Sequence, residues 1–415
     1  MDYESVYNKL KEYNKEYLLR FFNELTDSEK QTLLEDINSV DFDLMKKLSR
    51  LQSKINNDNE RIEPLASVKK DSFSSDEFLK LESIGKDIIK NGEYAVVTLA
   101  GGQGTRLGHT GPKGTFKLEF KDRPRYIFEI FIENLLNIYE KYKVYIPWYI
   151  MTSVDNNEKT IEFFEENNYF GYPKDKIKFF KQGVLPITDL EGNVLLEEKG
   201  KVFKAADGNG GVFNALSRNN IISEMKEIGI KWVLITGVDN ILVNLADEFF
   251  IGLTKSEKKQ NGVKSISKAS PEEKVGVFCK RDGVPSVIEY SEMTDEMRYE
   301  KYESGELKYI EANIVNHLFS IELLERIKNK PLPLHKAIKK LNYIDKNGNY
   351  ITPEEPCLIK YEAFIFDYFK MVDDVTVLRV KREEEFAPVK NKEGLDSPET
   401  AVKLYNDFKF KNEVN

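Results

Sequence analysis

The sequence predicts an α/β protein: a mixed, mostly parallel sheet flanked by helices, with a helical N-terminal segment and a small C-terminal extension. Three observations carry this. Short apolar runs rich in β-branched and aromatic residues, 94–100, 148–152 and 232–237, alternate with helical patterns at 126–142 and 160–164. That spacing of strand, helix and strand builds a largely parallel sheet covered on both faces. Residues 3–51 instead place Val6, Leu10, Tyr13, Tyr17, Phe21 and Leu25 at steps of three or four, one buried helical stripe. A glycine-rich segment follows the first apolar run directly, at the edge where open α/β sheets bind ligands.

In chain order, Thr26 and Glu29 fit a capping box that starts a second helix through Leu33 and Ile37. These N-terminal helices read as a brace without chemistry. Residues 53–75 are polar, include Asn56-Asn57-Asp58-Asn59 and lack strong periodicity, so a boundary falls there. The organisation expected is a helical region and linker over 1–75, a main α/β domain over 76–380 and a short C-terminal segment over 381–415. Asp282-Gly283 between two apolar runs predicts a β-hairpin inserted into the main domain. The Lys-rich stretch 255–264 reads as a solvated helix end and loop.

Composition narrows the function classes. The 415 residues are 40% hydrophobic and 32% charged, enough to bury a large core, which excludes a disordered chain. Lys and Arg number 62 against 70 Asp and Glu, a net charge of −8, so no broadly basic footprint for nucleic acid or a membrane surface exists. Cys279 and Cys357 alone make neither a disulfide framework nor a Cys-rich zinc site. His109, His317 and His335 lie too far apart for a sequence-local metal cluster, and His317 is assigned no catalytic role. No apolar run approaches the roughly 18 residues of a membrane helix, and the expectation is a cytoplasmic protein.

The chemistry concentrates in Leu99-Ala100-Gly101-Gly102-Gln103-Gly104-Thr105-Arg106-Leu107-Gly108 and the following Gly111-Pro112-Lys113-Gly114-Thr115. Glycines let backbone amides approach an anion closely, and Arg106 and Lys113 add positive charge, so the loop is built to grip phosphate. It is not a dinucleotide fingerprint, because Leu107 stands where the third glycine belongs, nor a Walker A loop, because Lys113 precedes Gly114. Downstream, the apolar run 233–238 delivers Asp239 at its tip, a hard oxygen ligand suited to Mg²⁺ or, alternatively, a cap for the next helix.

The Leu-Ala-Gly-Gly-Gln-Gly-Thr-Arg-Leu-Gly string with its downstream Pro-Lys-Gly resembles the signature of eukaryotic-type UDP-N-acetylhexosamine pyrophosphorylases, within the wider UDP-sugar pyrophosphorylase family. Collinear blocks extend the resemblance over nearly the whole chain: Gln182-Gly183, Gly208-Asn209-Gly210-Gly211, Val238-Asp239-Asn240, Val287 to Glu292, Asn313 to His317, Phe364 to Asp367 and Glu385 to Lys390. The resemblance implies a Rossmann-like, GT-A-like nucleotidyltransferase that transfers UMP from UTP to a sugar 1-phosphate with Mg²⁺, releasing pyrophosphate. Such chemistry needs positioning and charge neutralisation, and no covalent nucleophile.

By the same resemblance, Arg106, Lys113 and Lys390 act on the phosphates and Asp239 holds Mg²⁺. Leu99, Ala100, Gly101, Gly102, Gln182, Gly208 and Asn209 hold the nucleotide. Gly276, Glu289, Asn313, Phe364 and Phe366 select the sugar, although the two phenylalanines at period two equally read as strand core. Gly208 to Gly211 also read as the opening of a helix through Val212, Leu216, Ile221 and Met225. The expected sugar is N-acetylglucosamine 1-phosphate, with glucose or galactose 1-phosphate as the runner-up; a silent nucleotide-sugar sensor and a glycosyltransferase are the readings from other classes. His109-Thr110-Gly111 departs from the family pattern, and the glycine before proline also occurs in the UDP-glucose branch. The short segment after Lys390 leaves little room for the larger C-terminal domain of eukaryotic members, so a monomer is expected.

Overall fold

Eleven strands join into one mixed sheet in the computed structural model, which describes residues 2–50 and 60–414. The strands are β1 (Ile62–Pro64), β2 (Val68–Lys69), β3 (Tyr94–Leu99), β4 (Trp148–Thr152), β5 (Ile177–Lys181), β6 (Trp232–Gly237), β7 (Asn261–Ser267), β8 (Val277–Arg281), β9 (Val284–Ile288), β10 (Glu311–Ser320) and β11 (Thr376–Val380). Their order is β2-β11-β7-β10-β6-β3-β4-β5, with the β8–β9 hairpin and β1 attached through β8. From β6 to β5 every neighbour is parallel, which brings the ends of β3 and β6 to the same edge; β10 runs antiparallel between β6 and β7.

Helices cover both faces because strand side chains alternate. Val96, Leu234 and Leu318 enter a core with Ile88 and Ile89 of α4 (Ser75–Lys90), Phe128, Phe131 and Leu135 of α5 (Ile127–Tyr142) and Phe249, Phe250 and Leu253 of α9 (Glu248–Ser256). On the opposite face, Phe319 meets Phe213 of α7 (Val212–Arg218), ring centroids 5.6 Å apart. The predicted hairpin is present: Asp282 and Gly283 take φ of 49° and 82°, the left-handed pair that a two-residue turn between twisted strands requires.

The chain divides into two compact units. One takes the described part of Met1–Asp58 with Gly183–Gly211 and Leu332–Phe364; the other takes the described residues of Asn59–Gln182, Val212–Pro331 and Ile365–Asn415. In the first unit, Val6, Leu10, Leu33, Ile37, Met45 and Leu48 of α1 (Tyr3–Tyr13), α2 (Asp27–Asn38) and α3 (Phe42–Arg50) share their core with Val194, Leu196, Val202, Ile344, Ile359 and Tyr361. The N-terminal helices are therefore completed by segments far along the chain, which no local pattern announces. The Thr26–Glu29 capping box starts α2 as predicted.

Several local expectations are corrected. Tyr17 and Phe21 do not continue the first helix, because Asn14 ends it in the left-handed conformation and short 3₁₀ turns follow. Asn56-Asn57-Asp58-Asn59 lies outside the described residues. The rest of the supposed linker is not a linker: β1 pairs with β8 and β2 with β11, strands too short to show a period. The 255–264 run is solvated only in part, since Lys264 is fully buried in β7. The apolar pattern after Gly211 forms two helices, α7 and α8 (Ile221–Glu227), broken where Asn220 takes φ 56°.

Candidate active site

The tips of β3 and β6 set the site, both in the sheet unit. Parallel pairing runs from Trp232 against Tyr94 to Gly237 against Leu99, and the Val238 amide then donates to the Leu99 carbonyl at 3.2 Å. The glycine-rich loop and Asp239 thus leave the sheet side by side.

The loop is folded back on itself. Gly104 N donates to Gly111 O at 3.0 Å, Lys113 N to Gly102 O at 3.1 Å, and Gln103 bridges Pro112. Asn156, fully buried at the start of α6 (Asn157–Glu166), clamps the loop from the next strand connection: its Nδ2 donates to Ala100 O at 3.0 Å and Gly102 O at 3.4 Å while its Oδ1 accepts from Ser153 N. Gly101 lets the Gln182 amide pack against the loop, since a Cβ there would stand 2.7 Å from Gln182 Nε2 and push that side chain aside. Ala100, Gly101 and Gln182 are in this way brought together, the glutamine held by its backbone N–H, which donates to Thr152 O at 2.8 Å. Leu99 closes β3, Gly102 is exposed, and Arg106 stands exposed on the turn Thr105–Leu107.

Lys113 Nζ lies 3.7 Å from Asp239 Oδ2. Burial pushes the Asp239 carboxyl up, but Lys113 and then Lys390 outweigh it and hold the group below the ordinary carboxylate range. No helix begins after Asp239; the next cap is Asp247, whose side chain accepts from Phe250 N. The capping alternative for Asp239 is therefore overturned.

Lys390 arrives by a second pairing. Asn240, 3% exposed, donates through Nδ2 to Glu385 O at 2.7 Å and accepts from Ala387 N at 2.9 Å and Leu242 N at 3.2 Å. Val389 N then donates to Asp239 O at 2.8 Å. This stitches residues 385–389 onto the strand tip and places the next residue, Lys390, within electrostatic reach of Asp239. The stitch is anchored by Lys264, buried between Asp247 Oδ2 at 2.7 Å and Glu385 Oε2 at 2.5 Å, with Lys70 2.8 Å from Asp247.

Among the sugar-selecting candidates, Gly276, Glu289 and Asn313 come together. Asn313 N donates to Gly276 O at 2.9 Å, and a Cβ on Gly276 would meet Glu289 Oε1 at 2.9 Å. Asn313 Oδ1 accepts from Val315 N at 2.9 Å and steadies a bulge in which Val315 takes φ 53°. Phe366 is buried on the turn Ile365–Met371 and Phe364 precedes that turn, so neither is a strand residue and the period-two reading fails. His317 is buried among Phe278, Phe319, Tyr368 and Phe369; burial pushes it down to about 3, which leaves it neutral and apart from the chemistry.

Gly208, Asn209 and Phe364 belong to the first unit. Gly208 takes φ 89°, Gly210 N donates to Ala363 O at 2.9 Å, and the Phe364 ring lies 4.7 Å from that of His335. Among the described residues no group of three or more His, Cys, Asp or Glu could hold a metal ion, and no helix is long and apolar enough to cross a membrane.

Sequence reasoning gave no role to Asn156, Asn240, Lys264 or Glu385. Asn240 and Glu385 lay within noted motifs and Lys264 in a stretch read as solvated; the loop carbonyls that Asn156 holds lie 54 and 56 residues away, and Lys264 meets Glu385 121 residues away, so no local signal marks either.

A parallel sheet edge carrying this loop, a strand-tip carboxylate and a returning lysine defines an α/β protein of the nucleotidyltransferase type. The chain belongs to the UTP--glucose-1-phosphate uridylyltransferase family, whose model matches residues 42–401. It is 37% identical to the human UDP-N-acetylhexosamine pyrophosphorylase-like protein 1, over 96% of this chain and 83% of that protein. It is 40% identical to the UDP-N-acetylglucosamine pyrophosphorylase of Saccharomyces cerevisiae, over 79% of this chain and 70% of that one. The crystal structure of the uridine diphosphate N-acetylglucosamine pyrophosphorylase from Trypanosoma brucei, in complex with an inhibitor, aligns with a TM-score of 0.81 at 31% identity, covering 97% of this chain and 84% of that chain.

Proposed function

We propose that this chain is a uridylyltransferase that transfers UMP from UTP to N-acetylglucosamine 1-phosphate, giving UDP-N-acetylglucosamine and pyrophosphate. The observation that carries the reading is Lys113 Nζ 3.7 Å from Asp239 Oδ2 at the mouth of the glycine-rich loop, with residues 385–389, which lead into Lys390, stitched onto the same strand tip. The names of the yeast and trypanosomal relatives support the acetylated sugar.

In this reading a phosphate oxygen of the sugar phosphate attacks the α-phosphorus of UTP. The bond from that phosphorus to the bridging oxygen breaks, and its electron pair leaves on pyrophosphate. Arg106, Lys113 and Lys390 neutralise the charge that gathers on the phosphates, and the loop amides orient them. Gln182, against Gly101, offers an amide donor and acceptor to the uracil edge. Glu289 and Asn313 bind the sugar, with Asn313 Nδ2 as the donor left over once its oxygen has fixed the bulge. The roles of Leu99, Ala100, Gly102, Gly208, Asn209, Gly276, Phe364 and Phe366 rest on the resemblance.

Asp239 fits Mg²⁺. It is one hard carboxylate, 31% exposed and ionised, and Mg²⁺ takes one or two carboxylates together with phosphates and water. When bound, the ion would supply charge neutralisation on the phosphates.

Turnover of UTP carrying a chiral α-thiophosphate tests the mechanism. A single in-line displacement inverts that centre. Retention would mean an enzyme-bound uridylyl group and would overturn the reading.

A further inference from the structure

We propose that His109 is a positioning residue: its imidazole is the brace that holds the glycine-rich loop in one shape and so sets Arg106 relative to Lys113. The inference rests on the uridylyltransferase reading for what the loop binds, and on the loop's own geometry for the brace.

A loop with glycines at 101, 102, 104, 108 and 111 loses much backbone freedom when it is fixed. A preformed phosphate site therefore needs something to fix it before the ligand arrives. His109 touches both limbs. Its backbone N donates to Gly104 O at 3.0 Å, and its ring lies where a Cβ on Gly104 or on Gly111 would be: 2.8 Å from His109 Cδ2 in the first case and 2.8 Å from Nε2 in the second. Those two glycines are themselves joined by the Gly104 N to Gly111 O hydrogen bond, so the imidazole spans the pair.

On the far side, Nε2 lies 2.8 Å from Thr115 Oγ1, and the ring stands edge-on to Phe116 with centroids 5.7 Å apart. Thr115 Oγ1 donates to Pro112 O at 2.8 Å, so the network assigns the imidazole proton to Nε2, donating to Oγ1. Burial pushes the imidazole below its ordinary value, and the neutral ring suffices for this bond. Arg106 sits on the turn Thr105–Leu107 just before His109, and Lys113 opens the turn Lys113–Thr115 just after the segment the ring clamps. Removing the ring takes away the side-chain brace between the turns that carry the two cations and leaves them joined by backbone hydrogen bonds alone.

Three variants and a non-kinetic measurement test this. His109→Ala is expected to raise KM for UTP about tenfold while KM for the sugar phosphate and the thermal midpoint stay at wild-type values, because a misplaced clamp weakens only what it grips. His109→Gln, whose amide can reach Thr115, is expected to recover most of the loss. Gly111→Ala is expected to be harmful in the wild type and clearly milder on top of His109→Ala, because the nearest atom it strikes, His109 Nε2 at 2.8 Å, is then gone and only the looser approach to Thr115 Oγ1 at 3.1 Å remains. In the ligand-free protein, amide hydrogen exchange over residues 101–115 is expected to quicken in His109→Ala and nowhere else.

Wild-type kinetics in His109→Ala, or independent effects of Gly111→Ala and His109→Ala, would overturn the proposal. Should the wild type itself show no turnover, the uridylyltransferase reading fails, and the exchange comparison still decides the brace: unchanged exchange over 101–115 refutes it.

Discussion

Asn240→Ala separates a side chain that organises the site from those that touch substrate. Asn240 makes three hydrogen bonds, to Glu385 O at 2.7 Å, Ala387 N at 2.9 Å and Leu242 N at 3.2 Å, all to buried backbone. Two of them reach residues 385–389; each is worth about 1 kcal/mol net, and the buried partners left unpaired raise the loss in that attachment to about 3 kcal/mol. At about 1.4 kcal/mol per factor of ten, local opening becomes about 100-fold more frequent. Native-state hydrogen exchange reads this directly, because the Ala387 amide is bonded to the deleted oxygen. Turnover should fall with it, toward the level of Lys390→Ala, since Lys390 is carried by the loosened segment. Exchange at Ala387 within twofold of wild type would show that other contacts hold the segment, and the positioning argument for Lys390 would fail.

Other outcomes follow from the same geometry. Lys113→Ala and Arg106→Ala should each lower turnover by about 10²- to 10³-fold with thermal midpoints unchanged, as both side chains serve charge and not packing; wild-type rates would remove the loop from the mechanism. Asp239→Asn should raise the Mg²⁺ concentration needed for half-maximal rate and lower turnover without unfolding the protein, because Asp239 caps no helix; a folded variant with normal Mg²⁺ dependence would contradict its assignment. Lys264→Met should cost about 3–5 kcal/mol of stability near neutral pH, since it strips the ammonium from two buried carboxylates. Burial pushes Asp247 up, but Lys264 and then Lys70 pull it well below its ordinary value. In the wild type it therefore contributes stability above the usual carboxylate range and loses it as pH falls through the depressed folded value. In Lys264→Met the folded carboxyl values rise instead, so the deficit in urea unfolding should shrink as pH approaches about 5, and an equal deficit at both pH values would refute the ion-cluster account.

The elements legible in the sequence were those with local signals. Periodicity placed β3, α5, β4 and β6, turn chemistry placed the Asp282-Gly283 hairpin, and Thr26 with Glu29 placed the start of α2. The positions of the glycine-rich loop and Asp239 were legible because both stand at the ends of strongly apolar strands. What stayed hidden depends on distant pairing. β1 and β2 are too short to have a period, Lys264 looks solvated until Asp247 and Glu385 surround it, and the N-terminal helices borrow core from residues 194–202 and 344–361. Asn156 was invisible because its function is to hold the backbone of another strand's loop.

Pyrophosphate release with UTP and Mg²⁺, measured side by side for N-acetylglucosamine, N-acetylgalactosamine, glucose and galactose 1-phosphates with Lys113→Ala as control, tests the central claim most directly. Release that is fastest with N-acetylglucosamine 1-phosphate and collapses in Lys113→Ala is the predicted result. Preference for glucose or galactose 1-phosphate would overturn the sugar assignment at Glu289 and Asn313, and absence of release with every sugar would contradict uridylyl transfer itself.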